Sequence, residues 1–288
     1  MLKKSFFICF ILASQVAIAQ NIDSVNFKSA KWAKQRVAPK TKLVTHHFSN
    51  KELFAANQHI AYLEVRNKGR YPQFSIGYEE KELKTTPTFG TERNAFAAIN
   101  GTFFDIKNGG SVDFIKSEGK IINENRLEKN NRRARHQQAA VVINDGKLTL
   151  KKWDGTSTWE QNLPDKDVMN SGPLLIFNNN IEVLDTTAFT KLRHPRSAIG
   201  IKPNGKIILL TVDGRQENSA GMSLHELTKI MKWLGCTSAI NLDGGGSTAL
   251  WVNGTTENGV VNYPSDNKKW DHDGARKVAN VILLKGKQ

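Results

Sequence analysis

Short β-rich runs that meet across turns of Asn or Asp with Gly recur along this chain, and they constrain the fold more than any other feature. Turn residues of this kind tolerate the positive φ angles that tight β-hairpins require. Three pairs of runs are predicted to form hairpins: 140–144 with 147–150, 174–177 with 181–184, and 198–201 with 206–212. The chain is therefore expected to be rich in antiparallel strands.

One helix interrupts this pattern. Ser223 and Glu226 have the spacing of a capping box, apolar side chains between 224 and 234 fall on one helical face, and Gly235 suits the end of the helix. Strands and helices do not alternate regularly, and there is no internal repeat. The sequence therefore predicts an α+β fold, a single domain dominated by mixed or antiparallel sheet with a few helices.

The first residues have the three parts of a secretory signal peptide. Lys3 and Lys4 precede a mostly apolar stretch at 5–14, and Ala17-Ile18-Ala19 is a small-x-small cleavage signal. The apolar stretch is shorter than the roughly 20 residues of a membrane-spanning helix. We expect cleavage after Ala19, a periplasmic or secreted protein and no transmembrane segment thereafter.

The remaining residues divide into two parts. Residues 20–57 are polar and basic and are expected to form an N-terminal extension with little firm structure, and 58–288 to form the main domain. The formal net charge of +14 favours an anionic partner. Without a nucleic-acid-binding motif, we expect a phosphorylated or otherwise anionic glycan and no nucleic acid. Cys236, in an apolar run, is expected to be a buried core thiol.

The segment from Asn241 to Thr248 has the strongest indication of chemistry. An apolar strand leads to Asp243, and three glycines follow, whose amide groups could form an anion-binding nest with the hydroxyls of Ser247 and Thr248. The alternative is a tight glycine turn that Asp243 caps. Three successive glycines are costly in conformational entropy, which favours the binding site.

Two other segments offer polar groups next to strands. Asn100, at an Asn-Gly corner before Phe103 and Phe104, could bind a sugar hydroxyl, or the segment could be a bulge with two core aromatics. Arg196 has a planar donor group that fits phosphate, and His194 could be a proton donor or phosphate ligand. The alternative for this third segment is a solvated basic loop.

Acidic residues supply the last candidates. Asp105, Asp213 and Asp243 lie at strand ends or turns and would allow the paired-carboxylate chemistry of glycoside cleavage. Asp271 and Asp273 are weak candidates for a metal site, because the spacing of the other calcium ligands is missing. The sequence contains no zinc-protease, cysteine-zinc or serine-hydrolase motif.

Together these segments resemble the phosphodiester glycosidase family. The resemblance covers roughly residues 60–284 and keeps the order of the motifs, of which 241–247 and the stretch from Arg196 to Arg215 are the most specific. It implies that 58–288 is a catalytic domain that hydrolyses the bond between a sugar's anomeric carbon and a phosphodiester, on a bacterial, dietary or host glycan. The sequence departs from the family at Thr102, where Gly is more common, and at Ala275, where an acid is common.

The resemblance and the residue chemistry give one set of site predictions. Asp243 or Asp213 is the expected nucleophile or base, with Asn100 as a third catalytic residue. The expected substrate- and phosphate-binding residues are Arg196, Arg276, Gly244, Gly245, Gly246, Ser247, Thr248, His194 and Thr102. No cofactor is expected, although a divalent metal stays open. The alternatives are a non-catalytic protein that binds anionic glycan and a metal-dependent phosphodiesterase that uses Asp105, Asp213 and Asp243 as ligands.

Overall fold

Antiparallel β-strands make up most of the regular structure. The computed structural model describes residues 22–287. The strands are β1 (Ala33–Ala38), β2 (Thr41–Leu53), β3 (Ala56–Arg66), β4 (Gln73–Tyr78), β5 (Lys84–Thr85), β6 (Ala97–Asn100), β7 (Ile115–Ser117), β8 (Lys120–Asn123), β9 (Ala139–Asn144), β10 (Lys147–Lys152), β11 (Asp167–Asn170), β12 (Leu174–Phe177), β13 (Asn180–Ile181), β14 (Arg196–Ile201), β15 (Lys206–Val212), β16 (Ser238–Asn241), β17 (Leu250–Val252), β18 (Lys277–Val278) and β19 (Asn280–Lys285). The helices are α1 (22–29), α2 (Thr86–Glu92), α3 (Ala188–Lys191) and α4 (Leu224–Trp233).

The strands form three larger sheets and one pair. The eight-stranded sheet has the order β1-β2-β3-β15-β14-β16-β12-β13, the five-stranded sheet β10-β9-β11-β7-β8, and the four-stranded sheet β17-β6-β19-β4. β5 pairs with β18. Every pairing among the described strands is antiparallel, which confirms the predicted sheet-dominated α+β fold.

The main core lies where the three larger sheets meet, and strand β15 shows why. Ile207 and Leu209 point into a cluster that takes side chains from all three sheets. Ile208 and Leu210 point to the opposite face, where they pack against the apolar side of α4. Because successive side chains of a strand face opposite ways, a strand buried on both faces is mostly apolar, as β15 is from Ile207 to Leu210.

Local sequence signals placed two predicted hairpins and the helix correctly. β9 and β10 join through Asp145 and Gly146, which both have positive φ. β14 pairs with β15, whereas β13 is shorter than the predicted third hairpin arm. Ser223 caps α4, with its hydroxyl accepting a hydrogen bond from the Glu226 N–H at 3.2 Å. Cys236 is a free, buried thiol, as predicted.

The N-terminal extension has regular structure, and the prediction that it has little was wrong. Residues predicted to have little firm structure form α1, β1 and β2, and β2 pairs with β3 in the eight-stranded sheet. Leu43, Val44 and Phe48 of β2 are buried between exposed polar side chains. The strand is long and lies near the sheet edge. Many of its residues are exposed and polar, so the few buried apolar residues do not form a regular alternating pattern in the sequence. The predicted signal peptide at 1–19 lies outside the described residues, and no described helix is long and apolar enough to cross a membrane.

Several strand ends meet at one end of the molecule. Arg196 begins β14 opposite Val212 at the end of β15, and Asn241 ends β16 beside Ala198 of β14. In the neighbouring sheet, Asn100 ends β6 next to the start of β19. Hydrogen bonds across the two sheets join these ends, and the polar residues there form the candidate site.

Candidate active site

Asp243 is the half-buried acid at the centre of the site. Its N–H donates to the carbonyl of Gly101 at 3.0 Å, and its Oδ1 accepts the Gly244 N–H at 2.9 Å. Burial raises the pKa of Asp243 to about 6, against the lowering effects of Ser247, Gly244 and Arg276. A carboxyl group that titrates near neutral pH can exchange a proton with a substrate or with water.

Asn100 holds the Asp243 loop in place and is fully buried. Its side-chain amide donates to the Asp243 carbonyl at 2.7 Å, and its Oδ1 accepts bonds from the Ser197 hydroxyl at 2.5 Å and the Ala249 N–H at 3.2 Å. These bonds use the side-chain oxygen within the protein. The structure therefore makes Asn100 a positioning residue for Asp243, where the sequence suggested contact with a sugar hydroxyl.

The glycine triplet allows the loop to pack closely against the backbone at Pro195. The Gly244 N–H is bonded to Asp243, and the Gly245 N–H donates to the carbonyl of Pro195 at 2.8 Å. A Cβ on Gly244 would lie 2.7 Å from that same carbonyl oxygen. Of the three amides predicted to form a nest, the Gly246 N–H is the one without a hydrogen bond among the described residues.

The triplet also lets two arginines approach the loop. Gly245, at φ +61°, leaves room for Arg215, whose guanidinium would be 3.0 Å from an added Cβ. Gly246 is similarly close to Arg276. Arg276 forms an ion pair with Asp266, whereas the exposed Arg215 forms no ion pair within residues 22–287. Arg215, which was not among the residues predicted from the sequence, is thus the more available of the two cations beside the glycine triplet.

Arg196 and His194 extend this positive side of the site. Arg196 is buried, with its Nε donating to the Met222 carbonyl at 2.8 Å and its Nη2 to the Phe189 carbonyl at 2.6 Å. Burial and then the charge of Arg215 lower the pKa of Arg196 to about 10. Burial, Arg196 and Arg215 also lower the pKa of His194. Two arginines close together repel each other, and a bound anion would offset this repulsion.

Two buried hydroxyls face the same loop. Ser247 and Thr248 are 1% and 0% exposed, and neither side-chain oxygen has a hydrogen-bond partner among the described residues. Ser247 lies near enough to Asp243 to favour its charged form, but the two groups are not aligned as a normal hydrogen bond. Unpaired buried hydroxyls are costly, so these two are candidates to bind a ligand or water.

A third part of the site was missed by the sequence analysis. Asp113 is fully buried and accepts the Thr102 hydroxyl at 2.6 Å and the Gln137 amide at 3.0 Å, and its Oδ1 lies 3.1 Å from Nε2 of His136. The His136 side chain is 29% exposed and packs on Phe103. Thr102 is therefore a support for Asp113 rather than a lining residue of a sugar pocket.

The His136 imidazole responds to both nearby acids. Burial lowers the pKa of His136, but the hydrogen bond and charge of Asp113 and the charge of Asp243 outweigh it, and the pKa is raised. In turn, the charge of Asp113 adds to the raised pKa of Asp243. The charges of Asp113 and Asp243 thus both favour the protonated form of His136.

Asp213 lies apart from this pair. It is 1% exposed, its Oδ2 is 2.7 Å from Nδ1 of His59, and its Oδ1 accepts the Asn262 amide at 2.8 Å. Both oxygens are therefore engaged inside the protein. This arrangement makes Asp213 a structural carboxylate rather than the free nucleophile or base that its place at a strand end suggested.

The comparisons with known proteins agree with this geometry. Residues 93–285, more than half of the chain, match the sequence profile described as Phosphodiester glycosidase. The chain belongs to the phosphodiester glycosidase family.

Two curated proteins are similar in sequence to part of this chain. The chain is 26% identical over 205 residues to the N-acetylglucosamine-1-phosphodiester alpha-N-acetylglucosaminidase of Mus musculus, covering 66% of this chain and 37% of that protein. It is 29% identical over 147 residues to the SPbeta prophage-derived protein YomE of Bacillus subtilis (strain 168), covering 45% and 22%. The chain thus spans well under half the length of these curated relatives.

A solved structure shows the shared fold. The catalytic domain of the zebrafish N-acetylglucosamine-1-phosphodiester alpha-N-acetylglucosaminidase, auto-inhibited by its pro-peptide, superposes with a TM-score of 0.66 at 21% identity, covering 94% of this chain and 93% of that one. At this identity the match is evidence for the fold alone.

The weak metal candidates are engaged elsewhere in this phosphodiester glycosidase domain. Asp271 accepts the Asn267 amide at 2.7 Å, and Asp273 accepts the Asn258 amide at 2.8 Å. Asp105 binds Asn108 and Arg126, which hold its pKa well below its usual range. Within residues 22–287, no three metal-ligating side chains are grouped as an ion would require.

Proposed function

We propose that the chain is a hydrolase that cleaves the bond between the anomeric carbon of a sugar and a phosphodiester. The observation that carries this proposal is Asp243, a half-buried acid whose pKa is raised to about 6 and whose charge acts on His136. Gly245, two residues further along the chain, lies against the guanidinium of Arg215. Membership of the phosphodiester glycosidase family supports the same chemistry.

In the proposed reaction, Arg215, Arg196 and the Gly246 N–H hold the phosphate. The phosphate monoester leaves as a stable anion, and these donors stabilise the charge that it gains in the transition state. Water attacks the anomeric carbon, the carbon–oxygen bond to phosphate breaks, and the phosphate keeps the electron pair. The products are a free sugar and a phosphate monoester.

Asp243 is the proposed base that takes the proton from the attacking water, or the nucleophile that forms a glycosyl intermediate. Its carboxylate form predominates above about pH 6. His136 supplies a proton or hydrogen bond on the same side, with Asp113 fixing its orientation. The anomeric configuration of the released sugar separates the two roles, because a nucleophile gives retention and a base gives inversion.

We further propose an anionic glycan of bacterial, dietary or host origin as the substrate, and a periplasmic or secreted location. The basic composition and the leader pattern at 1–19 support these two points. Mass spectrometry of the N-terminus of the mature protein tests the location and should find that it begins at Gln20.

The decisive experiment identifies which product carries the phosphate. The full chain is incubated with a panel of synthetic sugar-1-phosphodiesters, with and without EDTA, and the products are followed by ³¹P NMR. Free sugar with phosphate on the other fragment is expected, unchanged by EDTA. A sugar that keeps its phosphate would indicate P–O cleavage, and binding without turnover would indicate a non-catalytic glycan-binding protein.

A further inference from the structure

A second concave site lies beside the candidate active site, around the Asp213–His59 pair that the proposed reaction does not use. It is a cavity of about 260 Å³ lined by Lys31, Ala33, Thr45, His46, His47, His59, Tyr263 and Trp270. The first six of these residues come from the N-terminal part of the chain, before the residues that match the family profile. The cavity is therefore a feature that the family match does not account for.

One wall of the cavity is a preformed aromatic surface. Tyr263 and Trp270 are stacked with ring centroids 4.1 Å apart and an interplanar angle of 6°, and His272 stacks on Tyr263 at 4.5 Å. His59 stands edge-on to both Tyr263 and Trp270. Flat rings held by one another offer contact area to a ligand with little loss of side-chain entropy.

Three imidazoles give the cavity a specific hydrogen-bonding character. His46 Nδ1 bonds to the Lys31 carbonyl at 3.2 Å, His47 Nε2 to the Asn218 carbonyl at 2.8 Å, and His59 Nδ1 to the Asp213 carboxylate at 2.7 Å. Carbonyl and carboxylate oxygens accept, so in each neutral ring the bonded nitrogen carries the hydrogen. The other nitrogen is then an acceptor, and none of the three has a partner among the described residues.

An array of acceptors beside an aromatic wall selects a ligand that donates several hydrogen bonds and has an apolar face. The hydroxyl groups of a sugar can donate to such ring nitrogens, and the carbon–hydrogen face of the same sugar can pack on an aromatic ring. Burial lowers the pKa of His46, which favours its neutral form. The volume lies just below the roughly 300–1,000 Å³ of pockets for drug-sized ligands, so it suits a single ring.

We propose that this cavity is a saccharide-binding subsite. A neutral sugar ring packs its apolar face on the Tyr263–Trp270 stack, and its hydroxyl groups donate to the free nitrogens of His46, His47 and His59. Lys31 and Thr45 lie at the edge of the cavity as further polar contacts.

Hydrogen bonds connect the cavity to the candidate active site. His59 binds Asp213, Asp213 accepts from Asn262, and the same Asn262 amide donates to the Thr248 carbonyl at 3.2 Å, one residue beyond Ser247. These bonds place the cavity next to the segment that carries the candidate site. Resting on the proposed function, the sugar in the cavity would be a second unit of the glycan whose phosphodiester lies at Asp243. The subsite would favour extended glycans over single sugar phosphodiesters.

The test measures binding to the full chain without relying on catalysis. The probes are methyl glycosides of glucose, galactose, mannose and N-acetylglucosamine, with inorganic phosphate and Zn²⁺ as competing ligand types, measured by saturation-transfer NMR and calorimetry. At least one methyl glycoside should bind. Trp270→Ala should weaken its binding by about tenfold or more, because the stacking surface is lost, and Trp270→Phe by much less.

The histidines have a matched control. His47→Ala should weaken methyl glycoside binding several-fold, whereas His225→Ala, at an exposed position on α4, should not change it. Circular dichroism and thermal melts establish that each variant is folded. Saccharide binding that is equal in Trp270→Ala and the unchanged chain, or binding of Zn²⁺ or phosphate alone in the cavity, would overturn the proposal.

These outcomes stay separate from those of the proposed function. A chain that binds a methyl glycoside through Trp270 but hydrolyses no sugar-1-phosphodiester would refute the hydrolase and leave the subsite standing. A chain that hydrolyses the phosphodiester with no saccharide bound at Trp270 would do the reverse.

Discussion

Two buried aspartates, Asp113 and Asp213, are each paired with a histidine but have different surroundings. Asp113 pairs with His136, which is partly exposed and within the electrostatic reach of Asp243. Asp213 pairs with His59, whose side chain is 9% exposed and which borders a separate cavity. Both oxygens of each carboxylate have hydrogen-bond partners within the protein, which favours a structural role for both.

The two histidines differ in the groups that surround them. His136 is coupled to the one acid in this site with a pKa raised to near neutrality, whereas His59 is enclosed by aromatic rings and bonded to a structural carboxylate. In the proposed function and the proposed subsite, the same pair of residue types serves proton transfer on one side and structure or saccharide binding on the other. Substitutions on the two sides should separate loss of turnover from loss of stability.

The largest expected effect is the loss of kcat when Asp243 is replaced. Asp243→Asn keeps the size of the side chain but removes the base or nucleophile, and should lower kcat by about 10²–10⁴-fold. Turnover of a sugar-1-phosphodiester at pH 7.5 is the measurement. A kcat within a few-fold of the unchanged chain would remove Asp243 from the reaction.

On the structural side, His59→Ala should mainly destabilise the fold. It leaves the buried Asp213 carboxylate without its 2.7 Å partner, which should lower the free energy of unfolding by about 3 kcal/mol. Urea unfolding at pH 7 measures this, with His225→Ala as the exposed control. A loss below about 0.5 kcal/mol would mean that Asp213 does not depend on the pair.

On the catalytic side, His136→Gln should lower kcat by roughly 100-fold with a much smaller change in stability. The pH profile is the sharper readout. Activity of the unchanged chain should rise as Asp243 loses its proton near pH 6 and fall at higher pH as His136 loses its own. The variant should lose the alkaline fall, and a profile identical to that of the unchanged chain would contradict the role of His136.

Arg215→Ala should raise KM and lower kcat/KM by about tenfold, because an unpaired guanidinium beside Gly245 is removed. Arg215→Lys should recover part of the loss. Arg36→Ala is the control, since Arg36 is an exposed residue of β1, the edge strand of the eight-stranded sheet. Equal losses in the two alanine variants would show a general charge effect instead of phosphate binding.

The smallest expected effect is a gain in stability from Asp243→Asn. Burial raises the pKa of Asp243 from 3.8 to about 6, so the folded state holds the proton more tightly than the unfolded chain. Stability therefore falls as pH rises between about 4 and 6, and the whole penalty is present at pH 7. The variant should be more stable by about 1–3 kcal/mol at pH 7 and nearly equal at pH 4. Equal stability at both values would argue against a raised pKa.

The parts of the fold that were predicted correctly are those marked by turn or capping residues close together in the sequence. Asp145-Gly146 and the Ser223–Glu226 capping box act within a few residues, so the β9–β10 hairpin and α4 could be placed without tertiary information. The N-terminal strands could not, because β2 is buried by its position next to β3 and its own pattern is irregular.

The site was predicted in part for the same reason. Asp243 stands in a distinctive motif, but Asp113 and His136 lie outside any motif, and their pairing depends on contacts between distant segments. Asp213 was singled out by its place at a strand end, yet its role is set by His59, more than 150 residues away in the chain. Motif position identified candidate acids, and burial and partners separated their roles.

The sheet order has a practical consequence for anyone who trims this protein to its matched segment. Strand β3, the neighbour of β15, and β4, the neighbour of β19, both precede residue 93. A fragment that starts there would leave two central strands with open, apolar edges, which invite pairing between molecules. Such a fragment should aggregate on expression, whereas a chain that begins before α1 keeps both edges covered.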